Sequence, residues 1–321
     1  MRAASPMAWF VSKKILQTLM VLLIVSVASF ALLKFAPGDP VQLMLGSEYS
    51  AEAHASLVKQ LGLDRPIAEQ YVRWLAGFLS GDWGTSFVSK APIFRYAFLE
   101  ALPVTLTLAA SALGLAVVVG VPLGVLSATR KDTGWDAAVA TLTLTGTSFP
   151  SFYLGILLIW LFGVQLGWFP TLGFVAPWDD LWGGIVHMTL PAITLSTYFL
   201  AMIVRLTRAN LIEQLEQPYV AAARARGEPR WRVVWVHGLR NVMLPLVTIL
   251  GLQLGALLQG AVLTETVFSL PGVGQMMTSA VLNREYGVVQ AGVMMTACLF
   301  VLTNLLVDLA YPFLDPRLRP R

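Results

Sequence analysis

Apolar residues gather into six long runs, approximately 15–35, 102–128, 137–162, 185–207, 242–266 and 288–309. Each is close to or above the roughly 20 residues that a helix needs to cross the hydrocarbon core of a bilayer. A closed barrel would instead show segments of about ten residues alternating between apolar and polar, and no such alternation is present. Helices are the other way to satisfy every backbone group in lipid. The pattern predicts an all-α polytopic membrane protein with six transmembrane helices. Composition agrees: 56% of the residues are apolar, 12% are charged, and the mean hydropathy is +0.70.

Lysine and arginine orient the chain. With the N-terminus inside, the cytoplasmic segments hold Arg2, Lys13, Lys14, Arg130, Lys131, the arginines from Arg205 to Arg240, and Arg317, Arg319 and Arg321. The short outer loop 163–184 has none, and the last outer loop has only Arg284. The charge rule then puts both termini in the cytoplasm. The net charge of +4 reflects this topology, and nucleic acid is not needed to explain it. A cleaved leader is the competing reading of the first run, but its apolar stretch is too long and no small-x-small site follows it. The single cysteine, Cys298, lies in the sixth run, so disulfides play no part.

The chain divides into a cytoplasmic N-terminus and first span (1–35), an extracytoplasmic helical cap (36–98), a five-helix core (99–311) and a cytoplasmic tail (312–321). In the cap, Ser50 suits the N-cap of "AEAHASLVKQL" and Gly62 follows its end. A second helix starts at Pro66 and stops near Gly81, with Ile67, Tyr71, Trp74, Leu75, Phe78 and Leu79 on one face. Pro150 and Pro191 interrupt the third and fourth runs, as packing kinks or as moving parts. Gly251, Gly255 and Ala256 in the fifth run are spaced for close helix approach.

The core carries a basic cytoplasmic loop, 208–241. Pro218 opens and Gly227 closes a short helix, "PYVAAARAR", whose alanines would let it sink into a groove of another protein. Arg224 and Arg226 stand at its C-terminal end, where cations favour the helix dipole. Beyond Pro229 the chain restarts as "RWRVVWVHGLRNV". Trp231, Val234, Trp235, Leu239 and Val242 there gather on one side, as for a helix at the membrane interface. One account is an ordinary inside loop resting on headgroups. The other is a structured loop made for a partner.

Ala222, Ala223 and Gly227 ("AAxxxG"), followed by Leu244 and Pro245, resemble the signature loop of permease subunits in ATP-binding-cassette importers. Ala221 stands where the generic form has glutamate, and the gap to Leu-Pro is longer. Both departures resemble the dipeptide, oligopeptide and nickel branch. "FAPGDPVQLMLG", "LPVTLTLA" and "TETVFSLPGVG" extend the likeness over nearly the whole chain, and "APGDP" after the first span resembles the B-type permease.

The resemblance implies a type I importer fold and a non-enzymatic subunit that moves peptides by alternating access. It implies a second homologous permease, two ATPase subunits or domains using ATP and Mg, an extracytoplasmic solute-binding protein, and a prokaryotic inner membrane. It makes Tyr219, Ala222, Ala223, Arg224, Arg226, Gly227 and Pro229 the ATPase-coupling residues. Nickel, glutathione and sugars stand as alternative cargoes. The chain has no Gly-Lys pair and hence no P-loop, and His54, His187 and His237 are too isolated to suggest a metal site. For Glu265 near the outer end of the fifth span and Asp308 near the inner end of the sixth, two readings stand: a solvated gate or pathway group, or structural pairing. Pro271, Gly272 and Gly274 preclude regular helix, leaving a gate that dips into the mouth or a surface turn. An ion-driven secondary transporter would show inverted repeats and midplane acids, and neither is evident. A membrane scaffold is the third reading.

Overall fold

The computed structural model describes residues 6–35, 40–45, 49–60 and 62–314. The "APG" of the "APGDP" motif, its Asp39, and the tail arginines lie outside the described residues. Among the described residues there is no strand, only an isolated bridge between Thr85 and Pro92. Helix α1 is Pro6–Phe35, α2 Pro40–Leu45, α3 Ala51–Gln60 and α4 Ile67–Ser80. Helix α5, Ile93–Thr129, contains a π-helical turn at Tyr96–Ala101. Helices α6, Gly134–Ser148, and α7, Ser151–Gln165, precede α8, Leu181–Leu215, and α9, Pro218–Ala225. A turn at Arg230–Arg232 and a π-helical turn at Val233–Gly238 lead into α10, Leu239–Phe268. Helices α11, Val273–Leu282, and α12, Tyr286–Leu314, complete the chain.

Among the described residues, four helical stretches are long and apolar enough to cross a membrane: Val11–Ala31, Ile93–Thr129, Leu181–Leu215 and Tyr286–Leu309. Two bent pairs raise the count to six if each is one span. The third expected span is one of them. It is not a continuous rod, because α6 and α7 meet at 101°. Pro150 cannot continue a helix and forces the preceding Phe149 into extended backbone, φ −89° and ψ 136°. Pro191, by contrast, does not interrupt its helix: α8 runs through it unbroken.

The centre of the molecule is the pairing of α5 with α8. Leu108, Ala112, Ala116, Gly120, Gly124 and Ala128 recur every four residues and make one buried stripe along α5. At Gly124 an added Cβ would come within 2.6 Å of the Thr207 Cβ and 2.9 Å of the Val204 carbonyl. Without a hydrophobic drive between helices in lipid, such backbone proximity is what van der Waals packing needs. The same device joins α10 to α12, where Gly251 lies against Val307 and Gly255 against Phe300.

The cap follows the expected punctuation. The Ser50 hydroxyl accepts from the Ala53 amide at 3.1 Å, and Gly62 and Gly81 take the left-handed conformation, φ +67° and +83°. Helix α4 lays Tyr71, Trp74 and Phe78 into a chain of ring contacts from Phe30 of α1 to Phe94 and Phe98 of α5. Ile67 and Leu79 are not part of that face and are exposed. The Tyr71 and Ser26 hydroxyls meet at 2.7 Å, tying the cap to α1.

Candidate coupling and gating sites

Most of the expected loop 208–241 is helical extension. Residues up to Leu215 continue α8, and those from Arg230 lead into α10, so α9 stands alone between two tight turns. Pro218 sits in its first turn, and Gly227 ends it at φ +79°. Val220 and Ala223 are fully buried against Val233 and Leu215, which glues α9 to its own chain. Ala223 is therefore not available as a direct docking contact. With 3.6 residues per turn, Val220 and Ala223 share one face and Ala221, Ala222 and Ala225 turn outward.

Polar bonds fix the helix from its ends. The Tyr219 hydroxyl contacts Gln214 Oε1 at 2.9 Å and the His237 carbonyl at 3.3 Å, and accepts from Asn241 Nδ2 at 2.8 Å. Glu228 receives His237 Nε2 at 2.7 Å and Arg226 Nη2 at 3.2 Å. The bond from His237, aided by that from Arg226, holds the Glu228 carboxyl below its ordinary range. Arg224 reaches the Leu215 carbonyl at 3.4 Å, and Arg230 reaches the Thr129 carbonyl, at the end of α5, at 3.1 Å. Between these anchors lies a cleft of about 420 Å³ lined by Ala128, Thr129, Leu215, Arg224, Glu228 and Arg230, with Val233 and Val234 behind.

The expected interfacial face beyond Pro229 is split. Trp231 and Trp235 are exposed, whereas Val234, Leu239 and Val242 are buried in the bundle. The π-helical turn at Val233–Gly238 explains the split, because its wider winding breaks the 3.6-residue register that put them on one side.

At the opposite end, Glu265 is not solvated. It is completely buried, and its carboxylate caps α11 from another helix. The Thr105 hydroxyl donates to Oε1 at 2.6 Å, and the amides of Gly274 and Gln275 donate to Oε2 at 2.7 and 3.2 Å. Thr105 in turn accepts from the Val273 amide at 2.9 Å. Three first-turn amides of α11 are thus satisfied by side-chain oxygens from two other helices. Gly272 and Gly274 leave room for that carboxylate; a Cβ on Gly272 would collide with it, and one on Gly274 would lie 2.9 Å from Oε2. Gly274 does not break helix but lies in its first turn. The irregular part is Ser269 to Gly272, where Ser269 is left-handed at φ 51° and Pro271 follows.

Asp308 pairs with Lys14 at 2.7 Å, joining the first and last long helices. Two further carboxylate sites were not anticipated. Glu285 Oε1 accepts from the Ser86 hydroxyl at 2.8 Å and from the Phe87 and Val88 amides at 2.5 and 3.0 Å. Asp136 takes both ends of the Arg208 guanidinium, at 2.8 and 2.7 Å, together with the Ser127 hydroxyl and the Asp132 amide at 3.0 Å. The sequence clue to Asp136 was an acid in the first turn of a helix directly after a basic inside loop. For Glu285 no local signal existed.

Residues 120–320 match the model of the family described as binding-protein-dependent transport system inner membrane component, and residues 7–117 match that of its N-terminal segment. The dipeptide transport system permease protein DppB of Escherichia coli is 42% identical over 319 residues, covering 92% of this chain and 94% of that protein. The glutathione transport system permease protein GsiC of Pectobacterium atrosepticum is 40% identical over 308 residues, covering 96% and 97%. Among solved structures, the MetNI methionine ABC transporter in an inward-facing conformation aligns with a TM-score of 0.55 at 16% identity. That alignment covers 70% of this chain and 99% of the aligned one. A polytopic helical fold with family models along its whole length assigns this chain to the binding-protein-dependent transport system inner membrane components, the permease subunits of ATP-binding-cassette importers.

Proposed function

We propose that this chain is one of two permease subunits of an ATP-driven importer of di- and oligopeptides. It crosses the prokaryotic inner membrane six times, with residues 1–14, the α8–α10 connection and the tail in the cytoplasm, and with residues 36–98 forming an outer cap. ATP and Mg act in two separate ATPase subunits, and an extracytoplasmic binding protein delivers the cargo. The peptide assignment rests on relatives named for dipeptide and glutathione transport.

The observation that carries the coupling role is the seating of α9. Val220 and Ala223 bolt it to the bundle, while Ala221, Ala222 and Ala225 offer a low, smooth outer face. A helix held rigidly from behind and smooth in front can pass displacement between two proteins, which a free loop cannot. Coupling requires that kind of contact, one that differs between two states of the partner. In this arrangement Tyr219 and Gly227 set the angle of the helix, Arg224 and Arg226 flank its exposed end, and Pro229 starts the return to the membrane. At the outer mouth, Glu265 with Pro271, Gly272 and Gly274 fixes α11 as part of the gate, and Asp308 serves the α1–α12 pairing.

Ala222→Trp tests the reading in the reconstituted complex. Its side chain enters solvent, so the permease should fold and assemble in the membrane as before. Peptide-stimulated ATP hydrolysis and peptide uptake should both fall at least about tenfold, because a misfit of about an ångström at a coupling contact is worth that much or more. Wild-type stimulation in this variant would remove α9 from the coupling path.

A further inference from the structure

We propose that the cleft beside α9 is a socket for an acidic side chain of the ATPase subunit, with Arg224 and Arg230 as its clamps. The inference rests on the docking reading above but concerns different atoms. Two guanidinium groups face the same cleft of about 420 Å³ from two walls, Arg224 from α9 and Arg230 from the start of the return helix. Each is tethered through one Nη2 bond to a carbonyl at a helix C-terminus, Leu215 for Arg224 and Thr129 for Arg230. A guanidinium has five donors in a fixed fork, so each keeps donors to offer. The one carboxylate in the lining, Glu228, is already bonded to His237 and Arg226. The cleft therefore carries an excess of positive charge that its own walls do not neutralise.

The remaining lining selects the occupant. Thr129, Glu228 and the two arginines make most of the exposed lining polar, with Ala128, Val233 and Val234 buried behind it. An aspartate or glutamate carried on a docked protein surface presents a planar carboxylate that matches the two guanidinium forks. The two ends of the given sequence are net basic, with Arg2 at one and Arg317, Arg319 and Arg321 against Asp315 at the other, so they match the socket less well than an acidic patch does. The socket also lies beyond the end of α5, on the side marked by Arg130 and Lys131, next to the outward alanines that meet the ATPase. One carboxylate inserted there would engage α5, α8 and α9 together. Bidentate arginine–carboxylate pairing would add direction as well as strength.

The test uses the assembled transporter in nanodiscs, with ATPase retention measured against NaCl concentration. Arg224→Ala/Arg230→Ala should lower the apparent ATPase affinity at least about tenfold and flatten its salt dependence, and Arg224→Glu/Arg230→Glu should lower it further. Arg232→Ala, exposed but outside the cleft, should behave as wild type. Because the arginines also tether carbonyls, a chemical readout is added. Arg230→Lys with a carbodiimide should form an amide cross-link to an ATPase carboxylate. Wild-type retention by the double alanine variant, or a cross-link confined to this chain, would overturn the proposal. So would a defect that appears only with anionic phospholipid and vanishes in phosphatidylcholine, which would identify a lipid headgroup. If Ala222→Trp uncouples while both double variants behave as wild type, the docking reading stands and the socket falls.

Discussion

At the scale of single residues, the chain places its buried carboxylates where backbone amides need acceptors. Glu265 faces a hydroxyl and two amides, and no cation among the described residues pairs with it. Glutamine in its place keeps the shape but turns an NH₂ group toward one set of donors. Glu265→Gln should lower stability by about 1–3 kcal/mol, the cost of leaving a buried donor without a partner. Glu265→Ala should cost more, because it strands all three donors and opens a cavity. Thermal unfolding of the purified permease measures both, and a Glu265→Ala protein as stable as the wild type would sink the capping role. This site also marks the limit of what can be read locally. A carboxylate near a span end is visible in the sequence, but its partner Thr105 is 160 residues away. Nothing near Glu265 distinguishes a buried cap from a solvated gate. Gly227 is the opposite case: a glycine after an alanine-rich segment signals a left-handed turn by its own steric freedom, and the turn is there at φ +79°.

At the scale of elements, legibility follows how local the cause is. Span positions depend on composition over about 20 residues, and the cores of four spans coincide with long apolar helices. Proline effects depend on what surrounds the ring, so Pro150 breaks its helix by 101° while Pro191 leaves α8 continuous. The small-residue stripe of α5 is present in the sequence at a period of four, yet only its apposition to α8 gives it meaning. Gly124 is its tightest point, with Thr207 and Val204 already at the limit of contact. Gly124→Leu should force α5 away from α8 and cost at least about 1–3 kcal/mol, the usual penalty of overpacking. Gly114, on the same helix with open space around the missing Cβ, is the internal control. Equal loss of thermal stability in Gly124→Leu and Gly114→Leu would mean that helix packing is not what Gly124 provides.

At the scale of the whole molecule, contacts fix which ends lie together. Lys14 and Asp308 bring the start of α1 and the far end of α12 to one side. The start of α12 packs on the start of α5, where Ile93 lies against Gly287. At the other end of this 37-residue helix, about 55 Å away at 1.5 Å per residue, Thr129 is on the Lys14–Asp308 side and holds Arg230. Helix α9 therefore shares a side with the start of α1 and the far end of α12. The tryptophan-bearing connection 166–180 is on the other, since Gly173 donates to the Phe268 carbonyl beside the Glu265 cap. The proposed topology puts the first side in the cytoplasm, as the charge rule expects, and a thiol-labelling experiment tests it. In a Cys298→Ser background, exposed positions carry single cysteines at Trp178→Cys or Ala222→Cys. An impermeant maleimide should label Trp178→Cys in intact spheroplasts and Ala222→Cys only in inverted vesicles. Adding the ATPase subunit should then protect Ala222→Cys and leave Trp178→Cys unchanged. Labelling of both from the same face would refute the proposed six-span topology. Labelling from opposite faces without ATPase protection would keep the topology and remove the docking site.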